Sequence, residues 1–245
     1  MGKLKKVAIV YHYSALYRYA VFHELSKCNE FDFTLVSDNQ SDNDIKTIDP
    51  KFAEMPIEEG GIRWRFVKNV WLNGNKFLWQ KSIVRICLKE EFDIFILLGN
   101  PYYISTWLAA LILRMKGKKV YYWTHGLLKK EHGAKWLMRK AFLKLASGIM
   151  LYGHHAERIL LEEGFSKNKL HVIYNSLDYF KQAEIRESIT ESELSDLKKS
   201  LFKNPELPQL VFVGRLTKQK KTAFPNRSYQ HINKRRVFDK PVVYR

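Results

Sequence analysis

A lone histidine, His125, follows the apolar run VYYWT (120–124) and precedes Gly126. A glycine there lets a ligand come close to the backbone, so the histidine is placed where a bound molecule can meet it. A histidine capping the next element, or bonding a buried carbonyl, would leave the same pattern, and spacing alone does not choose. Three other polar groups follow short apolar runs in the same way: His12, Tyr13 and Ser14 with Arg18 a turn later; Gly99, Asn100 and Pro101; and Tyr174, Asn175 and Ser176. Open parallel sheets bind ligands beyond the carboxyl ends of their strands, so these groups would converge on one edge. Loops are polar in any protein, and both readings stay open on spacing. No glycine-rich phosphate cradle follows the first apolar run, so a dinucleotide fingerprint is absent. His154-His155 reads as the start of a helix rather than a metal pair. Cys28 and Cys87 have no metal spacing and fall in apolar helical patterns, as two reduced, buried thiols would. The tryptophans Trp64, Trp71 and Trp79 are too scattered for a stacking platform and are assigned to core packing.

The elements that would carry these residues alternate in type. Strands are predicted over 7–11, 31–36, 62–67, 93–98, 119–124, 148–152 and 170–173. Helices are predicted over 15–27, 76–89, 103–115, 135–146 and 154–163. Apolar strands alternating with helices predict an α/β domain with a doubly wound, Rossmann-like parallel sheet over residues 1–176. The run 94–113 carries no charge over twenty residues and mimics a membrane span, but Gly99-Asn100-Pro101 divides it into strand, loop and helix. Residues 177–207 read as a charged linker holding one helix, 192–202. Residues 208–221 read as the first strand and loop of a second domain, with the strand at 209–213. No secretory signal is visible, because the apolar run after the basic start is too short.

Charge is unevenly spread along the 245 residues. The chain has 42 Lys/Arg and 25 Asp/Glu, a net +17. Nine of the basic residues and one acid lie in 217–245, so nearly half of the excess sits in the last 29 residues. The body is moderately basic, which favours anionic membrane surfaces or phosphorylated ligands without singling out nucleic acid.

The segment QLVFVGRLTKQKK resembles the opening of the C-terminal domain in retaining, nucleotide-sugar-dependent glycosyltransferases of the two-Rossmann (GT-B) type. Its G-R-L and a lysine five residues beyond the arginine correspond to Arg215 and Lys220. YYWTHGL is similar to that family's strand-T-H-G segment, HVIYNSLD to its V-I-x-N-G-V-D with Ser176 in place of glycine, and YHYSALYRYAVFHEL to its first strand–helix junction. Together these motifs span about residues 5–221. The resemblance implies a bacterial enzyme of cell-surface polysaccharide synthesis. It would move a sugar from a UDP- or GDP-sugar to a glycan or lipid-linked acceptor, with no metal or other cofactor. It implies His125 at the donor sugar as the catalytic position, Arg215 and Lys220 clamping the donor diphosphate, and Tyr13, Arg18, Asn100 and Asn175 on the acceptor side. Fixed cations suit a diphosphate leaving group. The location implied is cytoplasmic, peripheral on the inner membrane face, with no specific nucleic-acid partner.

The family pattern stops after Lys221. A permitted set of codons for 222–245, read one base later, encodes an amphipathic helix, a charged turn and a strand ending in glycine. The expectation is therefore an out-of-frame, disordered basic tail on a truncated chain that does not turn over alone. Two rival readings remain: a nucleic-acid- or membrane-binding protein whose basic tail is the functional part, and a decayed gene fragment.

Overall fold

A computed structural model describes residues 4–41, 45–202 and 204–207. The chain divides into two compact units, Met1–Asp178 and Tyr179–Arg245.

In the first unit the strand KKVAIVYHY, β1 (Lys5–Tyr13), buries nearly every side chain. Val7, Ile9 and Tyr11 enter one core, while Ala8 and Val10 enter another on the opposite face. A strand covered on both sides needs an apolar run rather than an alternating one, and that is what these residues supply. Around it run β2 (Phe31–Asp38), β3 (Trp64–Phe66), β6 (Ile94–Leu98), β7 (Lys119–Thr124), β8 (Gly148–Leu151) and β9 (Leu170–Val172). They form a seven-stranded sheet in the order β3-β2-β1-β6-β7-β8-β9. Every pairing in it is parallel. The doubly wound, Rossmann-like α/β fold expected from the alternation is present.

Helix α1 (Tyr19–Ser26) lies on the Val7–Ile9–Tyr11 face through Phe22. Helices α2 (Ile83–Lys89), α3 (Ile104–Met115), α4 (Gly133–Lys144) and α5 (His154–Glu162) fill the other face with Ile86, Leu113, Phe142 and Leu160. Each of these side chains contributes about 1.5–3 kcal/mol on full burial. The strand order reverses at β1, whose neighbours are β2 on one side and β6 on the other. This leaves a crevice beyond their carboxyl ends.

Two expectations need correction. The amphipathic helix predicted over 76–89 is a helix only from Ile83. Its first part is β5 (Phe77–Gln80), paired antiparallel with β4 (Asn69–Leu72). The turn between them, Asn73-Gly74-Asn75, has positive φ at all three residues, the backbone that Asn and Gly tolerate and that closes hairpins. Asn-Gly after an apolar stretch was the legible signal, and helical spacing across 76–89 masked it. The second correction concerns 177–207, where two helices stand instead of one: α6 (Tyr179–Ser188) and α7 (Glu191–Leu201). Thr190 caps α7, accepting from Glu193 N while the Glu193 carboxylate accepts from Thr190 N.

The charge-free run 94–113 is divided, as expected, between β6, a turn and α3. Among the described residues no helix is long and apolar enough to cross a membrane. Trp64 is buried, whereas Trp71 and Trp79 on the hairpin are half-buried. Cys87 is buried and its thiol is pushed up to about 12, chiefly by that burial, while Cys28 is only half-buried.

Candidate functional site

The end of β1 is pinned before it meets any ligand. Gln80, on the hairpin, donates from Nε2 to the Tyr11 carbonyl at 2.9 Å, and Asn69 donates from Nδ2 to the His12 carbonyl at 2.7 Å. Buried Ser14 and Ser37 share a 2.6 Å hydrogen bond, and Trp64 Nε1 donates to Ser37 Oγ at 2.9 Å. The loop that follows is thereby held in one path, and a short helical turn, Leu16–Arg18, leads into α1.

That turn carries Arg18, which is only 4% exposed. Its guanidinium donates from Nη2 to the Tyr152 hydroxyl at 2.7 Å, just beyond β8. The Cζ atom lies 5.2 Å from the Trp123 ring, 5.4 Å from Tyr152 and 5.8 Å from Tyr17. Cation–π attraction of this kind offsets part of the desolvation, by about 2 kcal/mol at a dry site. No Asp or Glu forms an ion pair with it among the described residues, and its Nε and Nη1 are buried without a hydrogen-bond partner. Trp123 Nε1, in the same cluster, is buried and unpartnered too. The Tyr11 hydroxyl stands 3.5 Å from that of Tyr152 and its pKa is pushed up, first by burial and then by Tyr152.

His125 follows β7 at the same edge, with its ring 4.5 Å from that of Tyr152. Its pKa is held below the ordinary histidine value, first by partial burial and second by the Arg18 cation. Arg18 and His125, 107 residues apart in sequence, thus meet on one tyrosine. Gly126 has φ +68, and a Cβ there would lie 2.8 Å from Ala156 Cβ and 2.9 Å from Leu151 Cδ2. The glycine therefore admits α5 as closely as it would admit a ligand.

The remaining candidates are distributed along the same edge. Tyr13 is buried with its ring 4.0 Å from His12, whose pKa burial pushes down to about 4. Asn100 turns its carboxamide oxygen inward, accepting from Tyr102 N at 3.0 Å and shaping the β6–α3 turn. Asn175 is exposed beyond β9. Arg215 and Lys220 lie outside the described residues, as do the strand expected at 209–213 and the segment 222–245. His154 starts α5, donating from Nδ1 to the Glu157 carboxylate at 2.8 Å, and its Nε2 and the Tyr174 hydroxyl share a 2.9 Å hydrogen bond. Lys167 and then His154 hold the Glu157 pKa below the usual range. Among the described residues no three His, Cys, Asp or Glu side chains gather as a metal site.

Tyr152 and Trp123 were not among the sequence candidates. Tyr152 follows a strand directly, as His125 does, and the rule that picked out the other strand ends would have reached it.

Solved structures similar to the chain match it at low identity. The chain is similar to HepE of Anabaena in complex with UDP and glucose (13% identity, TM-score 0.50), covering 80% of this chain and 50% of that one. UDP-GlcNAc 2-epimerase of Methanocaldococcus jannaschii also matches (17% identity, TM-score 0.49, 80% and 53% covered). So does a putative UDP-N-acetylglucosamine 2-epimerase of Listeria monocytogenes (15% identity, TM-score 0.46, 69% and 45% covered). The chain spans about half the length of each. No curated protein matches the sequence significantly. The fold is GT-B glycosyltransferase-like. The sequence profile of Glycosyltransferase Family 4 matches residues 31–179, more than half of the chain. From β2 to the start of α6, then, the chain carries that family's pattern, and it belongs to Glycosyltransferase Family 4.

Proposed function

We propose that residues 1–178 form the acceptor side of a glycosyltransferase that moves a sugar, with retention, from a nucleotide-sugar donor to a hydroxyl of a glycan or lipid-linked acceptor in cell-surface polysaccharide synthesis. The observation that carries this reading is the meeting of Arg18, Tyr152 and His125 at the carboxyl edge of the sheet, beside the point where the strand order reverses. In this role His125 faces the donor sugar, while Arg215 and Lys220 take the charge that develops on the diphosphate, so no metal is called for. Tyr13, Asn100 and Asn175 line the same edge for the acceptor.

A membrane-surface location fits the charge distribution. Between residues 94 and 156 there are ten Lys/Arg and one acid, Glu131. On α3 the residues Ile104, Leu108, Leu111 and Met115 are exposed at helical spacing, with Met115 73% exposed. An exposed apolar stripe within so basic a stretch of chain suits an anionic bilayer, where each cation near the surface contributes about 1 kcal/mol.

The acceptor role is tested by titrating the chain with methyl glycosides and following tryptophan emission, since Trp123 lines the cluster. Saturable quenching that His125→Ala and Tyr152→Phe weaken supports the role; no response to any glycoside rejects it. On a chain carrying a donor-binding half, His125→Ala should lower kcat for sugar transfer about 100-fold, the scale of losing one transition-state hydrogen-bond donor. Unchanged turnover removes His125 from the site.

A further inference from the structure

We infer that Arg18 selects an acceptor carrying an anion, a carboxylate or phosphate borne on the sugar. This rests on reading the edge as the acceptor side.

A guanidinium that loses its water without gaining a carboxylate is costly to a fold. Arg18 is in that position. It is 4% exposed, it makes one hydrogen bond to a neutral phenol, and two of its nitrogens are unused. The rings of Trp123, Tyr152 and Tyr17 recover part of the cost but accept no hydrogen bond in the guanidinium plane. A methionine or leucine would serve packing better, so the cation at this spot answers to something the described chain does not contain.

The unused donors indicate the chemistry. Arg18 offers Nε and Nη1, and Trp123 adds Nε1, all lacking an acceptor. Nε and Nη1 lie on opposite sides of Nη2, which spends one of its two hydrogens on Tyr152, so its other hydrogen completes with Nε or with Nη1 the planar fork that matches the two oxygens of a carboxylate or two of a phosphate. A neutral hydroxyl fills one donor of such a fork and leaves the charge unmet. His125 and the guanidinium both border Tyr152, so an anion on Arg18 leaves the rest of the sugar near the histidine. Elsewhere in this unit the buried charge is already paired: Glu157, 6% exposed, is held between Lys167 and His154. Of the three rings against Arg18, that of Tyr17, 53% exposed, is the most open to water, Tyr152 being half-buried and Trp123 buried.

The 245-residue chain should be titrated with methyl glucuronide, glucose 6-phosphate, methyl glucoside and inorganic phosphate, read by tryptophan emission with Trp123→Phe to assign the signal. One forked, charge-assisted contact corresponds to roughly a 10- to 100-fold tighter Kd for a charged sugar than for methyl glucoside. Arg18→Gln should bring that ratio close to one, and Arg18→Lys, which keeps the charge but not the fork, should leave it in between. Tighter binding of the glucuronide identifies a uronic acid acceptor, and tighter binding of the sugar phosphate a phosphorylated one. Equal Kd values for charged and neutral sugars in the wild-type chain overturn the inference while sparing the acceptor role. So does a preference that survives Arg18→Gln, or inorganic phosphate binding as tightly as the sugar phosphate. Failure of every glycoside overturns the acceptor role itself. The wild-type comparison decides even where Arg18→Gln does not fold.

Discussion

Two histidines are held neutral in this molecule, and pH separates them. The pKa of His125 is lowered by partial burial and, less, by Arg18. Its ring therefore stays neutral where a free histidine, near pH 6.5, is half protonated. Glycoside affinity that needs the neutral ring should stay level as pH falls through about 6.5 and drop only below it. Arg18→Gln removes the smaller cause, so the drop should move to higher pH; titrations from pH 5 to 8 check both. His12 bears on stability instead. Its folded pKa is about 4 and its unfolded value is 6.5. Between these values the unfolded chain binds the proton and the folded chain does not, so stability falls as pH falls, by up to about 1.4 kcal/mol per pH unit. Urea unfolding at pH 6.5 and 5 should show a difference that His12→Leu diminishes. Arg18 and His125 could be named from sequence because strand ends are readable from apolar runs. That Arg18 would be buried and unpaired could not, because the aromatic wall around it comes from positions 17, 123 and 152 and exists only after folding.

Element by element, the sheet was legible because its strands are apolar on both faces and its helices repeat at 3.6 residues. The hairpin was not, since its two short strands lie next to α2 and borrow its periodicity. Its function in the fold is to close the end of β1, and that can be measured. Gln80→Ala leaves the Tyr11 carbonyl buried without its donor and should cost about 1–3 kcal/mol in urea unfolding. Gly126 has a sharper requirement. Any Cβ there combines a left-handed backbone with overlap onto Ala156 and Leu151, so Gly126→Ala should cost about 2–4 kcal/mol and disturb His125 beside it. Helix α6 was missed for a different reason: none of its residues is buried, so it has no apolar stripe to read.

Taken whole, the chain is basic in a patterned way. If α3 meets an anionic bilayer, binding to vesicles containing phosphatidylglycerol should exceed binding to neutral ones and weaken as salt rises from 0.05 to about 0.5 M, as screening shortens toward a few ångströms. Leu111→Asp should reduce it at every salt concentration; equal binding to both vesicle types rejects the location. The two arms of the sheet, β1–β3 and β6–β9, are sewn together by backbone pairing of β1 with β6, but past the strand ends that pairing stops. There the Tyr152 hydroxyl takes over, accepting from Arg18 on one arm while belonging to the other. A single oxygen is then a stitch across the seam. Tyr152→Phe should let the rim gape without unravelling the cloth, seen as faster amide exchange at residues 14–18 and 152–156 with β1 and β7 still protected.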